Sequence, residues 1–503
     1  MLLDVLLLPV AVAYLAILAG LTIYGANFLW LTWVAIRRGP AVPPAPTPSH
    51  WPDVTVQLPI YNEMYVAARI IDAAARFEYP GQFEIQVLDD STDETVDIAA
   101  AAVARWRACG VLISHVRRSG RLGFKAGALA HGLSLARGEY LAIFDADFIP
   151  PPDFLIRAVP VIVADPTLAF VQTRWGHANR DYSFLTQLQS LSIDGHMAIE
   201  QAGRSRTGQW FNFNGSAGIW RRQAIDDAGG WAHDTLTEDL DVSYRAYLRG
   251  WRAAFLRDVE CPAELPVSYG AVRRQQHRWA RGSFECALKH LPNVWRSPAP
   301  SRRKFQATLH LLGYSIHILM LALALLYPLL VLVGSKHPEL LTLVGAFGIF
   351  NLAAITPTTL FTAAQYQLGR RWWSAIPMIL LLSVVGAGLM VNTASAALQA
   401  IRRRPGTFER TPKFGVEHGK VEWHRLRYQP RLDPIVLAES AVAALCAWTV
   451  VQAFQAGMWA IAFYAALFAS GLGFSVAMTL VQSSRGAWAG RAAAHARVSA
   501  PGA

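Results

Sequence analysis

Apolar positions fall along this chain in two different rhythms. From Val5 to Ile36 almost every position is apolar, and similar runs recur after Lys304 near residues 308–333, 339–363, 373–400, 434–455 and 457–480. Crossing the hydrocarbon of a bilayer takes about 20 mostly apolar residues, so these runs are candidate spans. Between roughly residues 50 and 300 the runs are shorter and interrupted. Val54–Leu58, Phe83–Leu88 and Tyr140–Phe144 have strand patterns, and each ends in a polar or Pro-containing break before the next helical stretch. Alternating strand and helix signals predict an α/β sheet, in which ligands bind outside the carboxyl ends of the strands.

The first run exceeds the 7–15 residues of a signal-peptide core and lacks a basic leader, so it reads as a retained anchor. Only Asp4 is charged before it, and Arg37 and Arg38 follow it. The positive-inside rule then sets the N-terminus outside and the following block in the cytosol. The resulting organisation is an anchor (1–38), a Pro-rich linker (39–50), a soluble α/β domain (51–300), transmembrane and interfacial helices (301–400), a basic loop (401–432), a C-terminal helix pair (433–482) and a short tail (483–503). Residues 373–400 are expected to lie in the interface or re-enter. Trp372 and Trp373 suit an interfacial start, while Gly386, Gly388, Asn392, Thr393 and Ser395 weaken the second half as a lipid-facing span.

Composition agrees with a membrane protein: of 503 residues, 53% are hydrophobic and 16% charged. The net charge of +11 comes from Lys and Arg gathered beside apolar runs, not from a stripe interleaved with aromatics. Membrane lipid is the expected partner, and nucleic acid is not. Cys109, Cys261, Cys286 and Cys446 are widely spaced, which predicts reduced thiols and no zinc site.

Two acidic clusters stand at predicted strand ends, Asp89-Asp90-Ser-Thr-Asp93 and Asp145-Ala-Asp147. Two carboxylates two residues apart on a turn can approach one hard cation, Mg²⁺ or Mn²⁺, and such a cation neutralises charge on a leaving phosphate. Alone this pattern is weak, since helix capping before Pro150-Pro-Pro152 explains it equally well.

Its neighbours change that. Pro59-Ile-Tyr-Asn-Glu63, Gln86-Val-Leu-Asp-Asp-Ser-Thr-Asp93, Gly123-Phe-Lys-Ala-Gly-Ala-Leu129, Ile143-Phe-Asp-Ala-Asp-Phe148, Phe213-Asn-Gly-Ser-Ala-Gly218, Thr237-Glu-Asp239 and Gln275-Gln-His-Arg-Trp279 occur in this order. The chain thereby resembles the processive family 2 glycosyltransferases of the cellulose synthase superfamily, above all cellulose-synthase-like mannan and glucan synthases, over roughly residues 50–295. The resemblance implies a GT-A-type α/β glycosyltransferase domain, a Rossmann-like mixed sheet, inserted between transmembrane helices.

It also implies roles. Asp239 is the expected catalytic base, with Glu238 its nearest competitor or an acceptor contact. Tyr61, Glu63, Asp89, Asp90, Lys125, Asp145, Asp147, Gln275 and Arg278 are expected to bind the donor, with Asp145 and Asp147 on the metal. Trp279, Phe213, Asn214 and Gly215 are expected to meet the acceptor, and Gln275, Arg278 and Trp279 share one helical face. In the loop after residue 400, Phe408, Thr411 and Lys413 match the positions of the family's gating motif; an anionic-lipid site is the alternative.

The implied activity is inverting polymerisation of a hexose from a nucleotide sugar into a β-linked polysaccharide, β-1,4-mannan, glucomannan or β-glucan, with translocation through the membrane. The expected setting is a bacterial inner membrane with the catalytic domain cytosolic. Transfer of one sugar to a lipid phosphate, in the manner of dolichyl-phosphate mannose synthases, is the rival reaction, and a nucleotide-binding transporter is the rival class. No residue separates GDP-mannose from UDP-glucose as donor.

Overall fold

The computed structural model describes residues 2–37, 45–337, 355–403, 406, 410–416, 423 and 433–498. After helix α1 (Leu2–Arg37), seven strands form one mixed sheet: β1 (Val54–Ile60), β2 (Phe83–Asp89), β3 (Ile113–Val116), β4 (Tyr140–Ile143), β5 (Leu168–His177), β6 (Gly218–Arg221) and β7 (Arg252–Ala263). Their order is β3-β2-β1-β4-β6-β5-β7, and β6 alone runs antiparallel to its neighbours. The expected α/β class is therefore found.

Both faces of this sheet are covered, which is why its strands read as unbroken apolar runs. Along β4, Tyr140 and Ala142 join a core with Phe144, Phe154 and Val159, whereas Leu141 and Ile143 join another with Leu129, Phe170, Trp220 and Tyr244. Helices α2 (Ala67–Ala74), α3 (Thr95–Ala108), α4 (Phe124–Leu135) and α5 (Phe154–Ala164) fill the first crossovers. Because β1 pairs in parallel with both β2 and β4, their carboxyl ends lie side by side, and three loops converge there.

Further on come α6 (Phe184–Gly195), a π-helical turn (His196–Gln201), α7 (Ala202–Arg206), α8 (Arg222–Asp227), α9 (Glu238–Leu248) and the long α10 (Tyr269–Arg296). The expected apolar run 308–333 is broken in two, α11 (Ser301–Leu311) and α12 (Ser315–Gly334). The break is stabilised locally: the Leu312 carbonyl accepts the Ser315 N–H at 2.9 Å and the Tyr24 hydroxyl of α1 at 2.7 Å, and that hydroxyl lies 2.8 Å from Ser315 Oγ.

Among the described residues four helices are long and apolar enough to cross a membrane: residues 5–37 of α1, α12, Ile435–Gln455, and residues 459–483 of Trp459–Val498. Most of the run 339–363 lies outside the described residues; Thr356–Gln367 is helical and packs on α1. Residues 373–400 form two helices, Trp372–Ala387 and Met390–Ile401, bent by 45°. Asn392 and Thr393 are buried, and the Asn392 amide donates to the Arg273 carbonyl of α10 at 3.1 Å. Those polar residues thus face protein.

The bend is packed against Trp459–Val498 through two glycines. A Cβ on Gly388 would stand 2.3 Å from the Gly471 carbonyl oxygen, and one on Gly471 would stand 2.3 Å from that of Val384. Backbone cannot swing aside as a side chain does, so overpacking here should cost about 1–3 kcal/mol. Gly471→Val is expected to lower the melting temperature of the detergent-solubilised protein by several degrees. An unchanged melting curve would contradict this helix contact.

Candidate active site

The loops at the ends of β1, β2 and β4, together with the start of α9 and the first turns of α10, enclose one cavity. Its wall includes Tyr61, Glu63, Asp90, Lys125, Asp145, Asp147, Asn214, Gly215, Glu238, Asp239, Gln275, Arg278 and Trp279. Residues more than 200 positions apart in the chain are brought together by the sheet order.

Each loop is held in shape by its own polar contacts. Asn62 adopts φ +52°, its backbone N–H donates to Ser91 Oγ at 2.9 Å, and its side-chain carbonyl accepts from the Thr92 N–H at 2.8 Å. This ties the β1 loop to the β2 loop. Arg118 grips Asp90 with two bonds, 2.7 and 2.5 Å, a bidentate pair that leaves the carboxylate with free lone pairs toward the cavity. Lys125, in the first turn of α4, places its ammonium 2.5 Å from Asp145 Oδ1 and 3.7 Å from Glu238 Oε1, and donates to the Gly215 carbonyl at 2.8 Å. Gly215 has φ +80°, and a Cβ there would stand 3.1 Å from Asp239 Oδ2 and 3.3 Å from Lys125 Nζ, in the space a reacting hydroxyl needs.

Residues 410–416 lie across the cavity as a strap. The Glu264 carboxylate accepts the backbone N–H groups of Phe414, Gly415 and Val416 at 2.7, 3.0 and 3.2 Å. Lys413 Nζ then reaches Asp147 Oδ2 at 2.5 Å, Arg410 lies 3.7 Å from Glu63, and Thr411 lines the wall. Of the three expected gating positions, Thr411 and Lys413 meet the cavity, and Phe408 lies outside the described residues.

Two expected contacts do not reach the cavity. Asp89 is buried beneath it, bonded to His115 at 2.8 Å and to the Ser91 N–H at 2.8 Å, because strand alternation turns it away from the face that Asp90 serves. Phe213 is fully buried, with ring centroids 5.8 Å from Phe170 and 5.6 Å from Trp220, and is a core residue. Sequence reasoning also missed residues. Arg121 stacks on the Tyr61 ring at 3.3 Å and lines the cavity, and Glu264 anchors the strap. For Glu264 a signal existed, an acid just past the end of a strand.

A second cluster of metal-ligand types, Asp241, Cys286 and His290, lies deeper. Asp241 already accepts from His290 and Lys289 at 2.7 Å each and from Arg245 at 2.8 Å. These donors occupy the carboxylate, and burial keeps the Cys286 thiol protonated, so the cluster pins α9 to α10.

Comparison with known proteins now adds to this geometry. The family model described as "Glycosyltransferase like family 2" matches residues 52–282. Residues 52–282 form a glycosyltransferase family 2 domain.

Among curated relatives, glucomannan 4-beta-mannosyltransferase 2 of Arabidopsis thaliana is 44% identical over 254 residues, 50% of this chain and 48% of that one. Probable glucomannan 4-beta-mannosyltransferase 7 of Oryza sativa subsp. japonica is 36% identical over 348 residues, 68% of this chain and 60% of that one. The chain thus spans about half to three-fifths of the length of these relatives, which are plant proteins and lend nothing to a bacterial source. Among solved structures, mannosyltransferase PcManGT from Pyrobaculum calidifontis, in complex with GDP-Man and Mn2+, aligns over 77% of this chain and 99% of its own with 23% identity and a TM-score of 0.50. That likeness gives the GT-A-type fold.

Electrostatics in the glycosyltransferase domain follow from crowding of acids in a buried place. Burial, then the neighbouring Glu238, pushes Asp239 up to about 7, against the opposing pull of Lys125 and Arg278. Burial pushes Glu63 up to about 7 as well, with Arg410 opposing and Asp147 and Asp145 adding to the rise. A divalent cation fits this place. Asp145 and Asp147 line one cavity, each carboxylate is already met there by an ammonium group, and an all-oxygen donor set suits Mg²⁺ or Mn²⁺.

A base must be ionised to take a proton, so kcat/KM should climb as pH rises through about 7. Asp239→Asn should lower turnover roughly 10²- to 10⁴-fold with donor affinity within a few fold, as read by product formation and calorimetry. Retention of more than about a tenth of the activity would remove Asp239 from the base role.

Lys413 Nζ stands on Asp147 Oδ2, so a cation held by that carboxylate would have to compete with it. Titration of Mn²⁺ without nucleotide, followed by electron paramagnetic resonance, should therefore show at least about tenfold weaker binding for Asp147→Asn and tighter binding for Lys413→Gln. Weaker binding in the lysine variant would contradict competition.

Proposed function

We propose that this chain is an inverting, processive β-glycosyltransferase that builds β-1,4-mannan or glucomannan from GDP-mannose and passes the polymer through its own membrane helices. One observation carries the reading: Asp239 and the Gln275–Arg278–Trp279 face of α10 line the same cavity as Asp145 and Asp147. Base, acceptor platform and donor carboxylates therefore surround one space. The 4-beta-mannosyltransferase relatives support mannose as the sugar, and they give no support to single transfer onto a lipid phosphate.

In this mechanism Asp90 receives the nucleoside, and Tyr61 with Arg121 forms the adjoining wall. Asp145 and Asp147 would hold Mg²⁺ or Mn²⁺, whose charge would offset that developing on the leaving diphosphate. Lys125 and Arg278 supply further positive charge to the diphosphate. The indole of Trp279 stacks under the terminal sugar and Asn214 bonds its hydroxyls, so that one hydroxyl lies near Asp239. Asp239 takes that proton as the oxygen attacks the anomeric carbon from the face opposite the nucleotide, which inverts the configuration without a covalent enzyme intermediate. With the strap seated the cavity encloses about 160 Å³, below the roughly 300–1,000 Å³ of ligand pockets. The strap therefore lifts for the donor to enter and reseats over it.

Radiolabel incorporation with GDP-mannose and UDP-glucose, alone and together, tests the sugar. Alkali-insoluble β-mannanase-sensitive product from GDP-mannose is expected, and incorporation from UDP-glucose alone would overturn the mannose assignment. In the same assay Trp279→Ala should depress elongation more than donor hydrolysis, because the lost surface serves the acceptor.

The catalytic domain is cytosolic in this reading. Arg370, just before Trp372–Ala387, bonds Asp194 of α6, and Gln399, near the end of Met390–Ile401, bonds Arg281 of α10 at 3.1 Å. Both ends of the bent pair are held by the catalytic domain, so in this reading the pair lies along the interface. Single cysteines at positions 407 and 417 on a cysteine-free background should resist a membrane-impermeant thiol reagent applied to intact cells; labelling from outside would reverse this topology.

A further inference from the structure

A second cavity, of about 510 Å³, lies between the α7–β6 connection, the end of α9 and the α10–α11 corner, apart from the catalytic one. Its size falls within the roughly 300–1,000 Å³ of small-molecule sites. Trp251, Tyr247 and Trp210 form an aromatic wall, the last two stacked with centroids 5.2 Å apart. Arg303 lines it too, as does Arg252, which also stands 3.5 Å from Asp165 outside the cavity, and no acidic residue does.

Two polar groups in this wall lack partners among the described residues. Gln209 is only 6% exposed, yet its side-chain carbonyl oxygen accepts no hydrogen bond. The guanidinium of Arg303, in the first turn of α11, forms no hydrogen bond or ion pair among the described residues, and its Nε is buried. Unpaired buried polar groups are costly, so a guanidinium and an amide carbonyl left open on one cavity point to a ligand that supplies an anion and a hydroxyl donor.

We infer that this cavity binds a phosphate ester carrying free hydroxyl groups, the phosphate on Arg303 and Arg252 and a hydroxyl on Gln209. Its place in the fold favours a membrane source. Arg206 of α7 donates to the Ala35 carbonyl near the end of α1, and the Arg302 guanidinium lies 4.9 Å over the Trp30 ring of α1. The cavity thus adjoins the end of a candidate membrane span, the end beside which lipid headgroups would lie. Gln209 also begins the segment that leads to Asn214 and Gly215, and the Tyr247 hydroxyl donates to the Phe211 carbonyl at 2.7 Å. An occupant would brace that segment from behind.

The full chain would be reconstituted in nanodiscs of phosphatidylcholine containing one-fifth phosphatidylglycerol, and co-purifying lipid counted by native mass spectrometry. In parallel, glycerol 3-phosphate and inorganic phosphate would be titrated against detergent-purified protein by calorimetry. Retention of phosphatidylglycerol at least about fivefold above its bilayer fraction, lost in Arg303→Gln and Arg252→Gln but kept in Arg296→Gln outside the cavity, is expected. Arginine-dependent binding of glycerol 3-phosphate without lipid enrichment would support the same chemistry from a soluble source. Melting curves of the variants confirm folding; a folded Arg303→Gln that retains wild-type binding, or a wild type that binds none of the probes, overturns the inference. The readout is binding, so it stands or falls apart from turnover.

Discussion

Everything near the active site depends on how seven buried or half-buried carboxylates share one cavity. Glu63, Asp90, Asp145, Asp147, Glu238, Asp239 and Glu264 all line it, and against them stand Arg121, Lys125, Arg278, Arg410 and Lys413. Charges removed from water interact far more strongly than at a surface, so no arrangement with fewer cations would leave these acids ionised. Even here the count is short, and Asp239 and Glu63 are each pushed up to about 7. The same shortage that perturbs them makes the place hospitable to a divalent cation.

The second constraint is mechanical. α10 carries Gln275, Arg278 and Trp279, and its first turns are bolted to the C-terminal helices. Arg273 pairs with the fully buried Glu439 at 2.9 Å and with Thr479 at 3.0 Å, while Tyr269 N–H donates to Gln482 at 2.8 Å. A buried ion pair adds little net stability but is costly to break on one side only, so it fixes register. At its middle α10 also meets α9: Gly282 lets the helix approach Thr237, where an added Cβ would stand 2.4 Å from the threonine side chain. Asp239 and the Gln275–Arg278–Trp279 face are thus held relative to one another, and both relative to the apolar C-terminal helices.

Legibility in the sequence followed the physics of each element. The strands were readable because burial on both faces leaves unbroken apolar runs, and the cavity residues because their types recur in a fixed order on the strand-end loops. Asp89 and Asp90 could not be told apart, since which of two neighbours faces a ligand depends on strand phase at the last residue. Phe213 was misjudged for a related reason: proximity to Asn214 and Gly215 in sequence says nothing about which side chain turns into the core. The break at Leu312 was invisible because its stabilising partner, Tyr24, lies 288 residues away. Arg121 carries no pattern of its own and acquires its role only when the fold brings Tyr61 beside it, while the acid at Glu264, just past a strand end, gains its partner only when the strap folds over it.

The strap gives the charge argument its last step. Lys413 stands 2.5 Å from Asp147 Oδ2, while a magnesium or manganese ion would sit about 2.0–2.2 Å from a carboxylate oxygen. Two cations so close to one oxygen repel each other strongly in a place of low dielectric. A donor arriving with a cation held by Asp147 would therefore displace the ammonium, but its diphosphate would carry negative charge of its own to which the same lysine could turn. The strap would then keep a partner in both states, anion of the protein in one and anion of the substrate in the other. Its backbone seat on Glu264 needs only to be strong enough to return it after the nucleotide leaves. On this account a lysine serves better than an arginine, because a compact ammonium on a flexible stem can exchange one oxygen for another without a fixed fork geometry.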